Sequence, residues 1–142
     1  MKYIRGGIDM TYSELKQIHS EESNSFEGIF FAFSNKQFEE GMQKIGLNPE
    51  DTKKIYSLGG GGYILKTRNQ AFKDMFKRNQ SEMSEAKKDN KFLLDALTYE
   101  LCNHEYCITW DSEDALRVLN LKREDIPNEI YKEAIRIASI DY

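Results

Sequence analysis

A run of four glycines, Gly59–Gly62, followed by Lys66 and Thr67, contains the residue types of a phosphate-binding loop. A P-loop needs Gly-Lys-Ser/Thr to open a helix directly after the glycines, because the loop amides and the lysine must reach the same phosphates. Here the apolar residues 63–65 intervene. The glycine spacing also fails the dinucleotide-binding pattern G-x-G-x-x-G. The run therefore favours a turn between two strands, with glycines at positive φ.

Two glycines are enough for a tight turn, so turn geometry leaves half of this run unexplained. We expect the surplus either to leave backbone amides accessible to a partner or to let another backbone approach closely. The hairpin is therefore a candidate binding feature rather than a catalytic one.

Cys102, His104 and Cys107 are residue types that bind metal ions, and His19 is a candidate fourth ligand. Zinc sites usually contain C-x₂₋₄-C or H-x₃₋₅-H pairs, and C-x-H-x-x-C is not such a pattern. A Cys-His nucleophilic pair would need a third, orienting group that the sequence does not identify. The preferred interpretation makes both cysteines small core residues and His104 a helix C-cap, with no metal and no cofactor. A small metal- or ligand-binding, enzyme-like domain centred on residues 100–111 stays open as an alternative.

The charged residues form no complete acid–base site. Asp111, Glu113 and Asp114 are explained as capping and first-turn residues of a helix, while Glu100 and Glu105 would need a facing partner to do such chemistry. The mixed charges of Lys77–Asn90 are typical of a solvated helix face.

The 142 residues carry a net charge of −4, with a pI of about 5.3. This length predicts one globular domain over residues 1–142, with 1–10 as a candidate flexible arm. The acidic balance argues against direct nucleic-acid binding, which leaves a basic surface. Two cysteines are too few for a disulfide framework, and we find neither a signal peptide nor a membrane span. We therefore expect a cytoplasmic protein with no membrane partner.

Hydrophobic periodicity and turn signals predict an α+β fold. We expect a small antiparallel or mixed sheet of about four strands, packed with five or six helices. The predicted strands are Gly28–Ser34, Ile55–Leu58, Tyr63–Thr67 and Glu105–Trp110. Alternating apolar residues on the first of them suggest that both of its faces are covered.

Helix starts are marked by capping signals. Three S/T-x-x-E/Q boxes begin at Thr11, Ser34 and Thr67, and Pro127 suits the start of the last helix. The apolar positions between Phe92 and Leu101 predict a further helix, and Asp111 or Ser112 caps a short one.

Three sequence blocks together resemble a family of small uncharacterised proteins found in bacteriophages and mobile elements. They are FFAFSNKQFEEGM with IGL, SLGGGGYILK, and YELCNHEYCIT with the aspartate that follows the tryptophan. The resemblance covers residues 30–121 and implies no activity and no catalytic residues. Short acidic proteins of this kind include inhibitors of host defence, anti-CRISPR proteins among them. The resemblance thus implies a host protein as partner, with a CRISPR effector as one candidate.

The sequence therefore predicts a non-enzymatic protein-binding module. The predicted contact residues are Gly59, Gly60, Gly61, Gly62, Tyr63, Lys66, Arg78, Glu82, Glu85, Lys87 and Lys88. A homo-oligomer is compatible with this interpretation. A nucleic-acid-binding accessory protein is the third alternative.

Overall fold

The computed structural model describes residues 4–5 and 8–140. They form an α+β fold, which confirms the predicted class. The strands are β1 (Ile4–Arg5), β2 (Ile8–Asp9), β3 (Ile29–Phe31), β4 (Ile55–Gly59) and β5 (Gly62–Leu65). The helices are α1 (Tyr12–Asn24), α2 (Asn35–Lys44), α3 (Asn69–Ala86), α4 (Asn90–Asn103), α5 (Tyr106–Thr109), α6 (Glu113–Val118) and α7 (Asn128–Ile140). None of the helices in the described ranges has the length and apolar content that crossing a membrane requires.

The chain divides into two compact units. Unit 1 comprises residues 1–19 and 81–142, and unit 2 comprises residues 20–80. Helices α1 and α3 each contribute residues to both units. The predicted arm over residues 1–10 falls in part on positions 1–3 and 6–7, which lie outside the described residues. The short strands β1 and β2 of this segment pair antiparallel.

Unit 2 is built on a three-stranded antiparallel sheet in the order β3-β5-β4. Phe30 pairs with Tyr63 across the sheet, and their side chains project to the face on which α2 packs. One buried cluster of this unit consists of Phe30, Ala32, Met42 and Ile55, and Ile64 is also completely buried. The Phe30 ring occupies the space where a Cβ at Gly41 would stand, so the helix lies close on the strand. Strand β3 is an edge of the sheet.

Unit 1 is helical among its described residues beyond β2, and its core is built around α4. Five apolar residues of α4 are buried at helical spacing: Phe92, Leu93, Ala96, Leu97 and Leu101. They pack with buried residues from α1, α6 and α7, such as Leu15, Ala115 and Ala134. The long apolar helix predicted between Phe92 and Leu101 is thus confirmed.

One of the three predicted capping boxes forms completely, and a second forms only its N-cap bond. The Thr11 and Glu14 side chains each accept a hydrogen bond from the other residue's amide, at 3.2 Å. The Ser34 hydroxyl accepts from the amide of Gln37 at 3.2 Å. The third predicted box, at Thr67, does not form. Thr67 lies inside a 3₁₀ turn over Lys66–Arg68, and α3 begins only at Asn69.

The predicted strand Glu105–Trp110 is wrong. Tyr106–Thr109 form the one-turn helix α5, and left-handed backbone at Glu105 (φ 55°) and Trp110 (φ 58°) turns the chain at both ends. Tyr106 is buried in the core of unit 1 and Ile108 is exposed. A short apolar run cannot distinguish a strand from a helical turn by periodicity alone, which is why the pattern misled.

Candidate interaction surface at the glycine hairpin

The glycine run forms the hairpin between β4 and β5, as predicted. Gly59 pairs with Gly62, and Gly60 and Gly61 make the two-residue turn at φ 56° and 84°. Positive φ at both turn positions suits the type I′ geometry that matches the twist of paired strands. A register shift between Ser57 and Gly59 marks a β-bulge, and Gly59 there has φ 81°. Three of the four glycines are therefore required by the backbone.

Two aromatic rings explain the rest of the run. A Cβ built on Gly61 would stand 2.5 Å from Cε1 of Phe33, and one built on Gly62 would stand 3.0 Å from Cε1 of Phe31. Real Cβ atoms essentially never approach a ring carbon to 2.5 Å, and at 3.0 Å the ring would have to shift by a few tenths of an ångström. The fourth glycine, Gly62, is thus explained by the Phe31 ring, which lies directly against its backbone.

The two rings are largely exposed to solvent. Phe31 is 63% exposed and Phe33 is 78% exposed, and the half-exposed Leu58 lies beside Gly62. We call these three side chains, with Gly61 and Gly62 beneath them, the hairpin patch. The prediction that both faces of the first strand are covered is therefore wrong at Phe31 and Phe33. The alternation of side chains along the strand correctly placed Phe31 and Phe33 on one face. It could not show that no other element packs on that face at this end of the strand.

Two predicted contact residues near the turn differ in accessibility. The Tyr63 ring stacks on Phe30 at 5.3 Å between centroids and meets Phe38 edge-on at 5.2 Å, within the core of unit 2. Lys66 is exposed, and its ammonium lies 5.0 Å from the centroid of the Tyr56 ring. Lys66 is therefore available at the surface, whereas Tyr63 serves mainly as a packing residue.

The other predicted contact residues lie on α3 and just after it. Arg78 belongs to unit 2 and pairs with Glu22. The remaining four belong to unit 1, where Glu82 contacts His19 Nε2 at 2.6 Å and the exposed Lys88 pairs with Glu85 at 3.0 Å.

Lys87 is half-buried, and its ammonium donates to the carbonyl of Leu119. Burial lowers the pKa of Lys87 below its ordinary value of 10.5. The side chain therefore supports the C-terminal end of α6.

The cysteine and histidine cluster does not converge. Cys102 packs against the core of unit 1 and His104 is the C-cap of α4, as the preferred interpretation had it. Cys107 lies on α5 and is only partly buried, so its prediction as a core residue is not confirmed. Within residues 4–5 and 8–140, no three His, Cys, Asp or Glu side chains are placed to hold a metal ion.

Glu100 has a role that sequence analysis missed. It is completely buried, with Oε1 3.2 Å from the ammonium of Lys16 and Oε2 3.8 Å from Nε2 of His104. Its spacing from Leu93 and Leu97 places it on the inner face of α4, so helical periodicity could have indicated its burial. With no exposed surface, this carboxylate supports structure instead of meeting a substrate.

The backbone of the hairpin patch makes a testable prediction. Gly60 and Gly61 both have positive φ, but a Cβ meets the Phe33 ring only at Gly61, since Gly60 faces open space. We expect Gly60→Ala to cost about 1 kcal/mol of unfolding free energy and Gly61→Ala about 2 kcal/mol, because a Cβ at Gly61 also stands 3.1 Å from the carbonyl oxygen of Ala32, which cannot swing aside as the exposed ring can. Urea unfolding of the two variants measures the difference. Equal losses would show that the Ala32 carbonyl does not lie this close to Gly61.

Comparison with known proteins places the whole arrangement in a family. Residues 11–136 match the model of a family of unknown function, DUF7659. The matched range contains the hairpin, the Phe31 and Phe33 segment and the core of α4. Neither the curated proteins nor the solved structures yield a match. The chain therefore belongs to the family of unknown function DUF7659.

Proposed function

We propose that this protein is a non-enzymatic binding module that docks a partner protein on the hairpin patch. The observation that carries the proposal is the exposure of Phe31 and Phe33 side by side over glycine backbone. Single exposed apolar residues are ordinary on soluble proteins, but clustered aromatic rings commonly mark an interaction site.

The patch has the properties of a binding anchor. Aromatic side chains bury a large area with few rotatable bonds, and they dominate the energetics of many interfaces. Because the rings already rest on Gly61 and Gly62, they lose little conformational freedom when a partner covers them.

A host protein is the partner that we propose, in the setting of a phage or mobile element. Inhibition of a host defence system, with a CRISPR nuclease as one target, is the finer form of this proposal. The support for it is the resemblance of three sequence blocks to the phage and mobile-element family. Two of these blocks contain the hairpin patch: FFAFS contains Phe31 and Phe33, and SLGGGG contains Leu58, Gly61 and Gly62. The net charge of −4 favours a partner with a basic surface.

The Phe33→Ser variant tests the proposal. We expect it to lose at least about 30-fold in affinity for a captured partner, which corresponds to an anchor of about 2 kcal/mol. Its unfolding free energy should change by no more than about 0.5 kcal/mol, since the ring is mostly in solvent. Affinity capture from bacterial lysate, followed by titration of the purified partner, gives the measurement.

Ile140→Ser is the matched control, because Ile140 is 65% exposed and lies on α7, in the other unit. It should bind the partner as the unchanged protein does. A partner that Phe33→Ser still binds at full strength would contradict docking on the hairpin patch.

A further inference from the structure

The β3 edge of the sheet presents main-chain groups to a groove. Ala32 N donates to Gly61 O, and Leu65 N donates to Gly28 O, both at 2.9 Å. In an antiparallel ladder alternate residues bond to the same neighbour, so Gly28, Phe30 and Ala32 face β5. The amides and carbonyls of Ile29 and Phe31 therefore point away from the sheet.

A groove of about 600 Å³ runs along this edge, and all three residues of β3 line it. Helix α2 contributes Gln37, Glu40 and Lys44, and the aromatic side chains include Phe26 and Phe72. We call this space the edge groove. Its size is in the range of sites that take a small ligand or a short peptide.

We propose that the edge groove binds an extended peptide segment of the partner protein, which adds a fourth strand beside β3. This inference rests on the proposed function, because it gives that protein-binding activity its mode. Strand addition uses main-chain hydrogen bonds for affinity and alternate side chains for selectivity.

A second copy of this chain is a poorer occupant than a lone strand. Added strands lie about 4.8 Å apart, whereas packed helices need about 8–10 Å between their axes. Because α2 packs on β3 itself, with the Phe30 ring against Gly41, the second copy would bring its own α2 too close to the first. A segment without a helix over it avoids this clash.

The strand geometry determines the side-chain pattern of the segment. Residues opposite Ile29 and Phe31 share the face of the Phe31 ring, so they should be apolar. The residue between them points to the α2 face, where Glu40 and Lys44 lie, so it should be polar. The predicted segment alternates apolar, polar and apolar residues.

Charge at one end of the groove indicates an acidic residue in the segment. A second groove, of about 630 Å³, shares Ile29 and Lys44 with the edge groove and adds Arg68 and Glu27 near Gly28. Neither Lys44 nor Arg68 forms an ion pair with a carboxylate among the described residues. A carboxylate of the bound segment near Gly28 would meet both cations.

Selection from a library of random heptapeptides against the full chain tests this inference. We expect enrichment of alternating apolar and polar sequences with an acidic residue near one end. Each selected peptide is then made in two forms, N-methylated at one or the other alternate set of amides. One form should weaken binding at least about tenfold and the other much less, since only one set faces β3. Enrichment of no peptide, or equal effects of the two forms, would overturn strand addition.

The Ile29→Pro variant removes one outward donor while leaving the ladder partners in place, as an edge strand tolerates. If circular dichroism shows that the variant folds, we expect it to lose its affinity for the selected peptide. Binding at full affinity would contradict the inference. The methylated pair decides the question without this variant.

Phe33→Ser separates this inference from the proposed function, because Phe33 lies outside the residues that line the edge groove. It should lose the captured partner and keep the heptapeptide. If the partner is captured through Phe33 but no heptapeptide binds as described, strand addition is wrong and the hairpin patch stands. If Phe33→Ser captures the partner as well as the unchanged protein does, docking on the hairpin patch is wrong.

Discussion

Replacing Lys16 with alanine should lower the free energy of unfolding by about 3 kcal/mol, although the Lys16 side chain is 47% exposed. Its partner Glu100 has no exposed surface, so the variant removes the ammonium from a buried carboxylate and leaves it the Tyr12 hydrogen bond and His104, at 3.8 Å. Removing one partner of a buried pair usually costs about 3–5 kcal/mol, and we take the lower end because water reaches the lysine site. Urea unfolding, followed by the fluorescence of the sole tryptophan, Trp110 in unit 1, measures the loss.

The surroundings of Glu100 support this expectation. Burial and then the negative charge of Glu100 raise the pKa of Tyr12 above its ordinary value of 10.0. The ammonium of Lys16 also lies 5.6 Å and 5.4 Å from the ring centroids of Tyr12 and Tyr99. The lysine therefore neutralises the carboxylate and packs on two rings, and alanine replaces neither contact.

Two further variants isolate the buried charge. Lys88→Ala breaks the exposed pair with Glu85 and should change stability by less than about 0.5 kcal/mol. Adding Glu100→Met to Lys16→Ala removes the orphaned carboxylate and should recover much of the loss. A Lys16→Ala variant as stable as Lys88→Ala would show that Glu100 does not depend on the lysine.

Gly41→Ala should have the second large effect, and its sign opposes helix propensity. In an exposed helix this change stabilises by about 1 kcal/mol. Here a Cβ would stand 2.1 Å from Cδ2 of Phe30, whose ring is buried in the core of unit 2. We expect overpacking to cost about 2–3 kcal/mol, measured by chemical denaturation monitored by circular dichroism.

A smaller residue at position 30 provides the rescue. Phe30→Leu combined with Gly41→Ala should be less destabilising than the sum of the two single changes, because the removed ring gives the methyl group space. Gly46→Ala is the control, since nothing lies within 4 Å of its Cβ and only the cost of φ 82° remains. Stabilisation by Gly41→Ala would refute the close packing of α2 on β3.

Local signals predicted much of the fold. The helix caps at Thr11 and Ser34 depend on residues three apart, so the sequence contains all the information that forms them. The role of Gly41 depends on Phe30, in another element, and the environment of Glu100 depends on Lys16, 84 positions away. Contacts at such separations have no local pattern, and sequence analysis missed both.

The candidate site was predicted in part for the same reason. The glycines identified the hairpin because tight turns demand their backbone freedom. Phe31 and Phe33 were expected to be covered, since alternation shows which residues share a face and gives no information on what packs there. The short helix α5 was taken for a strand because four residues are too few to separate the two periodicities.

The hydrogen bond from the amide of Phe33 to Oε1 of Gln37, at 2.7 Å, has a consequence for solubility. Cross-β aggregation needs about six or seven consecutive residues with open main-chain groups. The Gln37 side chain occupies the amide that would extend the open edge of the three-residue strand β3. Strand β3 therefore offers an edge shorter than the segments that form cross-β fibres, although two aromatic rings lie exposed beside it.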